Sequence, residues 1–311
     1  MANNQELHVV FGSGPLGKSA ARELVRLGKQ VRVINRSGKA ENLPAGVEVV
    51  SSDAYDAAKN ITLTQGAAAI YQCAQPHYYE WLEKFPPLQK AIMEAARVNG
   101  AKMIVADNLY MYGHVDGALK EDSPVAPISK KGKVRAAMAS EVLEAHASGK
   151  INAAIARGSN FFGPEDLTFS GYAIMPALKG KAVNLLGNPN LPHTFTYAPD
   201  FGRLIATLGV RPEALGQVWF TPSNAPISQN QFSDLLAAEL GQPVKRMVAG
   251  KFMVGLLGLF IKEMKETVEM MYEWENPFVV DTSKAEKTFG LQPTPMKEAI
   301  RATVAWCRTQ N

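Results

Sequence analysis

Short apolar runs ending in glycine or a polar turn recur through the first half of the chain, and between them apolar residues fall at helical spacing. Residues 7–11 (Leu-His-Val-Val-Phe) form such a run and stop at Gly12, the pattern of a buried strand. Ala20, Ala21, Leu24 and Leu27 then recur at helical steps, predicting a helix over 18–27 that Gly28 stops. Further runs predict strands over 31–34, 47–50, 67–71, 103–106 and 153–156. Helices are predicted over 87–98, opened by proline and closed by Asn99-Gly100, and over 133–146. Apolar strands alternating with helices imply an α/β fold: a Rossmann-type doubly wound parallel sheet covered on both faces.

After Arg157 the rhythm breaks. Gly, Pro and Asn become dense over 158–199, then helices are predicted over 201–208, 228–240, 252–275 and 297–307, with a strand over 217–221. This divides the chain into a first domain over 1–160, with segments near 193–221 returning to it, and a mainly C-terminal substrate-binding region over 161–311. The second region is expected to close over the carboxyl edge of the sheet, where open α/β sheets bind ligands. Met253, Leu256, Leu257, Phe260, Met264, Val268 and Met271 recur at helical spacing. Such a stripe reads first as core; the alternative is a lid with adaptable Met contacts around an apolar substrate. Residues 77–81 (His-Tyr-Tyr-Glu-Trp) either face the same cleft or form a surface aromatic loop or dimer contact.

Composition narrows the partners. In 311 residues, 33 basic against 29 acidic side chains leave a formal charge of +4, with no Lys/Arg run long enough to track a phosphate backbone, so nucleic acid is not expected. Cys73 and Cys307 make no disulfide framework, and the five scattered histidines offer no metal-ligand spacing, so no metal is expected. The most apolar stretch, 252–261, is half the roughly 20 residues a span needs, which argues against a membrane protein. The N-terminal MANNQELH has neither the basic start nor the apolar stretch of a secretory signal, so a cytoplasmic location is expected.

The segment Gly12-Ser13-Gly14-Pro15-Leu16-Gly17 matches GxGxxG and falls between the first strand and the first helix. Its glycines suit a tight turn, close approach of backbone to a pyrophosphate and close helix–strand packing, while the helix N-terminus offers free N–H groups to the phosphates. The end of the second strand chooses the cofactor. An NAD site places Asp or Glu there; this chain has Asn35-Arg36-Ser37, and an Arg suits a 2′-phosphate. NADP(H) is therefore expected over NAD(H).

Several segments together resemble the extended short-chain dehydrogenase/reductases, the NAD-dependent epimerase/dehydratase group. Ser52-Asp53-Ala-Tyr-Asp56 resembles the family's acidic turn near the adenine, and Ile70-Tyr-Gln-Cys-Ala74, followed by Gln75, its loop over the cofactor. Tyr112-Gly113 resembles its Tyr-Gly after the fifth strand, and Arg157-Gly-Ser-Asn160-Phe161-Phe-Gly-Pro its signature near the nicotinamide. His193 to Asp200 and Asp281 to Pro293 resemble its later conserved segments. The resemblance implies a Ser or Thr holding the substrate oxygen and a Tyr-x-x-x-Lys pair relaying the proton. Counted without gaps from Tyr112, those three positions are Asn108, Lys133 and Ala137, and no YxxxK occurs in 127–141.

Three readings stay open. Lys133, with its pKa lowered beside the cofactor, is one candidate acid or base, and Tyr110, Tyr112 or His114 are others; Asn108 retains an amide for a substrate carbonyl. Hydride transfer to an activated enone needs only bound water for the proton. The third reading is a catalytically inactive NADP(H)-binding sensor or scaffold. The expectation is an NADP(H)-dependent oxidoreductase acting on a small carbonyl or enone compound, as a monomer or homodimer. Sugar-nucleotide epimerisation is disfavoured, because 161–196 offers only Lys179, Lys181 and His193 for a second pyrophosphate.

Overall fold

The computed structural model describes residues 6–310. Its first part runs β1 (Leu7–Phe11), α1 (Pro15–Arg26), β2 (Gln30–Asn35), β3 (Glu48–Ser51), α2 (Ala57–Leu63), β4 (Ala67–Gln72), α3 (Trp81–Asn99), β5 (Lys102–Asp107), α4 (Lys130–Ala147) and β6 (Asn152–Arg157). There follow β7 (Asn160–Phe162), α5 (Phe169–Ala173), α6 (Met175–Leu178), β8 (Val183–Leu186), β9 (Phe195–Tyr197), α7 (Ala198–Val210) and β10 (Val218–Phe220). The chain closes with α8 (Gln229–Leu240), β11 (Arg246–Ala249), α9 (Lys251–Leu257), α10 (Lys262–Thr267), α11 (Tyr272–Glu275), α12 (Ser283–Phe289) and α13 (Met296–Thr309).

Seven strands form one parallel sheet in the order β10-β6-β5-β4-β1-β2-β3. Connections from β1 run one way to β2 and β3, and the later strands are laid down on the other side. This α/β, Rossmann-type sheet therefore has a topological switch point between β1 and β4, the place where such sheets bind ligands at their carboxyl ends. Alternation along each strand feeds two cores. Val9 and Phe11 of β1 join Ile70, Trp81, Ile92, Met103 and Val142 under α3 and α4. Val10 joins Leu24, Val33, Ile104, Phe201 and Ile205 under α1 and α7. A third core, with Phe162, Phe169, Val183, Phe195, Phe232 and Trp274, lies in the C-terminal elements.

Several element boundaries differ from the periodicity. Helix α1 begins at Pro15, three residues early, because the fixed proline φ suits the first helical position. Helix α2 lies where the periodicity predicts none; Asp56 caps it by accepting from the Lys59 N–H. Helix α3 begins at Trp81 and contains Pro86 and Pro87 near its start, so the prolines do not mark its first turn. The single helix expected over 252–275 is broken into α9, α10, a 3-10 turn and α11. Gly255 and Gly258 weaken the helix there, and Ile261 is extended. Nor is its apolar stripe uniformly core: Met271 is buried, whereas Met253, Leu256, Leu257 and Phe260 are exposed. In α9 the buried residue is instead Val254. Among the described residues no helix is long and apolar enough to cross a membrane.

Candidate functional site

Strand β1 ends at Phe11, and the chain turns through Gly12, Ser13 and Gly14 into α1. Gly12 takes a φ of +99°, which favours glycine, and a Cβ there would sit 2.7 Å from the Ala74 amide nitrogen beyond β4. A Cβ on Gly17 would strike the Gly12 carbonyl oxygen, so this glycine lets the helix close on the turn. On Gly14 a Cβ would meet nothing within 4 Å, because that residue faces a cleft. No side chain caps the N-terminus of α1, and its free N–H groups open at the same place.

The cleft follows the carboxyl ends of the strands and has a volume of about 880 Å³. Its wall carries Gly12, Ser13, Gly14, Pro15 and Leu16 from the turn, Asn35 and Arg36 after β2, and Asp53 after β3. Ala74 and Gln75 follow from β4, Asn108 and Tyr110 from β5, and Asn160 and Phe161 from β7. The His77-to-Trp81 aromatic segment also reaches it, through His77, Tyr78, Glu80 and Trp81. Gly17, Ser37, Tyr112 and Lys133 do not line it. Gly17 lies within α1, and Ser37 donates to the Asn35 Oδ1 at 3.2 Å inside the turn after β2.

At the β2 end, Asn35 is committed to that turn. Its Nδ2 donates to the Ser13 Oγ at 2.8 Å, and its Oδ1 accepts the Gly38 N–H at 2.7 Å. Arg36 is exposed, and among the described residues its guanidinium makes no hydrogen bond or ion pair. Asp53 accepts the Tyr55 N–H at 3.1 Å. Deeper in, both amide atoms of buried Gln72 and the hydroxyls of Ser52 and Ser159 have no partner within the protein, and all three side chains belong to the cleft. Buried polar atoms left unpaired are costly. Phosphates, ribose hydroxyls and a carboxamide are groups that satisfy them, so the residues present fit a dinucleotide.

Helix α4 presents different residues from those counted in sequence. Lys131, Arg135, Met138 and Val142 form its buried stripe. Lys133 lies about 200° round the helix from Lys131, and both it and Ala137 are exposed. Lys131 pairs with Glu266 and with Glu269, the latter at 3.2 Å, and its Nζ lies 4.5 Å from the Tyr78 ring centroid. Arg135 reaches the cleft wall but donates through Nε to the Asp107 Oδ1 at 2.8 Å. Arg157 donates to the other carboxylate oxygen at 2.9 Å and to the Tyr112 hydroxyl at 2.6 Å. Burial alone would raise the Asp107 pKa, but the two guanidinium charges outweigh it and hold the carboxyl below its usual range. This cluster ties β5, α4 and β6 together, and it takes Tyr112 out of the candidate acids.

A titratable group that the sequence did not single out is Glu273. Its side chain is buried at the cleft wall, and burial raises its pKa to about 8; a 3.4 Å hydrogen bond donated by the Asn160 Nδ2 offsets only part of that. The same Asn160 amide donates to the His193 Nε2 at 2.9 Å. Burial lowers the His193 pKa to about 3, so that ring is a neutral acceptor, stacked between Trp274 and Phe278. Burial, with the Glu273 charge next, keeps the Tyr110 phenol protonated well above its usual range. Asn108 accepts the Tyr110 N–H through Oδ1 at 3.1 Å, which leaves its Nδ2 available to a ligand. Asp166, another wall carboxyl, is raised by burial to about 6 although it accepts three backbone N–H groups. Glu273 sits among glutamates 263, 266, 269 and 275, a pattern that reads as a solvated face. Its only distinguishing signal is the flanking Tyr272 and Trp274.

A seven-stranded parallel sheet whose glycine turn opens on a polar cleft at the switch point defines a dinucleotide-binding protein of the Rossmann class. More particularly, the chain belongs to the NAD dependent epimerase/dehydratase family, whose model matches residues 9–219. A 3beta-hydroxysteroid-dehydrogenase/decarboxylase (isoform 2) of Arabidopsis thaliana is 23% identical over 299 residues. That match covers 85% of this chain, which spans about half (53%) of the relative's length. Among solved structures, a UDP-glucose 4-epimerase from Thermotoga maritima superposes with a TM-score of 0.79 at 18% identity, covering 98% of this chain and 99% of that one. The UDP-glucuronic acid 4-epimerase of Bacillus cereus gives 0.78 at 18%, covering 98% and 100%. The dTDP-glucose 4,6-dehydratase of Streptomyces venezuelae gives 0.77 at 18%, covering 97% of each chain. At these identities the likeness concerns the fold.

Proposed function

We propose that this chain is an NADP(H)-dependent oxidoreductase that interconverts a carbonyl and an alcohol, or reduces an enone, on an apolar small molecule, with Glu273 as its proton donor and acceptor. The turn from Gly12 to Leu16 and the open end of α1 would hold the pyrophosphate, with Asp53 toward the adenosine and Arg36 on the 2′-phosphate. A bound nicotinamide supplies or accepts hydride. The protein's own residues do the rest. The free Asn108 Nδ2 donates to the substrate oxygen, Glu273 holds the proton that this oxygen or its α-carbon gains, and Tyr110 adds a protonated phenol to the same wall.

The observation that carries this reading is the buried Glu273 carboxyl on the cleft wall, still protonated near neutrality, while Lys133 and Ala137, the positions reached by the ungapped count, are exposed. An apolar substrate is supported by Tyr78, Trp81, Phe161, Phe169, Tyr172 and Phe278 on the wall, and by the hydroxysteroid for which the plant relative is named. The sugar nucleotides named for the structural neighbours carry a second pyrophosphate. Here the 158–172 wall offers it carboxylates instead: Asp166, and Glu165 already paired with Lys18 and Arg22.

The test is NADPH oxidation against a panel of apolar ketones and enones. Turnover is expected with at least one, and Glu273→Gln is expected to lower kcat by about a hundredfold or more with NADPH affinity retained. Because the protonated form is the donor, reduction should run at full rate below pH 8 and fall above it, whereas oxidation should rise through the same pH. Tight NADPH binding with no turnover across the panel would instead support the inactive sensor.

A further inference from the structure

The chain's exposed large apolar side chains concentrate on α9 and the turn that follows it. Phe252 is 88% exposed, Leu259 74% and Phe260 84%, with Met253, Leu256 and Leu257 beside them. Only Val254 anchors this helix inward. A soluble monomer rarely leaves such a contiguous patch to water. The run is bracketed by Lys251 and Lys262, with Lys245 and Lys265 close in sequence, and Glu263 is the single carboxylate over 245–265. Aromatic and aliphatic tips between lysines suit an interface whose far side is hydrocarbon and whose near side is anionic.

We propose that residues 251–262 seat the protein on the surface of an anionic lipid bilayer, the apolar side chains entering the acyl boundary and the lysines meeting lipid phosphates. Ten apolar residues are too few to span, so the segment lies in the plane of the interface. Its position is adjacent to the cleft. Lys262 lies 5.2 Å from the Tyr79 ring centroid, and Lys131 joins α4 to Glu266 and Glu269 while covering Tyr78, a residue of the cleft wall. The docking rests on the exposed run and its charges and does not depend on the reaction proposed above.

Sedimentation with vesicles tests it. One set is equimolar phosphatidylglycerol and phosphatidylcholine, the other phosphatidylcholine alone. The full chain is expected to sediment with the anionic vesicles and to be released by high salt. Phe252→Ser with Phe260→Ser, and separately Lys251→Glu with Lys262→Glu, should each weaken binding by about tenfold or more. Circular dichroism and NADPH affinity, both unchanged, certify that the variants fold. The proposal is overturned if the full chain stays in the supernatant with both vesicle sets, or if both double variants bind as well as the parent. It is also overturned if ultracentrifugation finds a dimer that the Phe variants dissolve while vesicles bind nothing, since the patch then serves a second copy of this chain.

Discussion

At Glu273 activity and stability pull against one another. Burial raises its pKa from 4.5 to about 8, so the folded state holds a proton that the unfolded chain releases near pH 4.5. Stability from this group is fully present below pH 4.5 and is lost as pH rises toward 8, a loss of roughly 4 kcal/mol. Glu273→Gln removes the ionisation and keeps a hydrogen-bonding side chain of the same size. The variant is therefore expected to melt above the parent at pH 8 to 9, with the difference vanishing near pH 4, in parallel thermal scans. A variant less stable than the parent at pH 9 would show that the carboxylate is satisfied by groups other than Asn160. Arg36 carries a separate prediction. Since its guanidinium is unpartnered at the cleft, Arg36→Asp should weaken NADPH about tenfold or more beyond any loss for NADH, read by titration of each coenzyme. Equal losses would remove the 2′-phosphate from its role.

Helices α7 and α1 meet closely where they cross. A Cβ on Gly202 would lie 2.6 Å from the Ser19 carbonyl carbon, so Gly202→Val should push the two helices apart and cost about 2 kcal/mol or more in denaturant unfolding. The same scale explains what the sequence made legible. Val9-Val10-Phe11 followed by Gly12 and the Ala20-to-Leu24 spacing declared β1, the turn and α1, because each depends on neighbours in the chain. Helix α4 shows the limit: its existence was plain, but which lysine turns inward depends on its rotation. The ungapped count from Tyr112 assumes one fixed loop length, and it chose the outward Lys133 over the inward Lys131 and Arg135. Glu273 was beyond local pattern altogether. Its side-chain hydrogen-bond partner, Asn160 of β7, lies 113 residues away, and that same amide holds His193.

At the scale of the molecule, the cleft is where the two sheet cores and the C-terminal core come together. Phe161 packs on the sheet side while its neighbour Phe162 belongs to the third core, so β7 joins them at the cleft wall. A ligand that bridges the Gly12 turn, Gln72 and Ser159 therefore bonds to elements of the whole fold and should stabilise them together. Ligand at about a hundred times its Kd adds about 2.7 kcal/mol to the folded state, which raises the melting midpoint by several degrees. Gly14→Val separates this linkage from intrinsic stability. Its Cβ meets nothing within 4 Å in the free protein, and the branched side chain would fill the space where a pyrophosphate would lie against the N–H groups of α1. The variant should melt within a degree or so of the parent without coenzyme and show no rise when NADPH is added. If the variant gains as many degrees from NADPH as the parent does, the diphosphate is held somewhere other than at this turn.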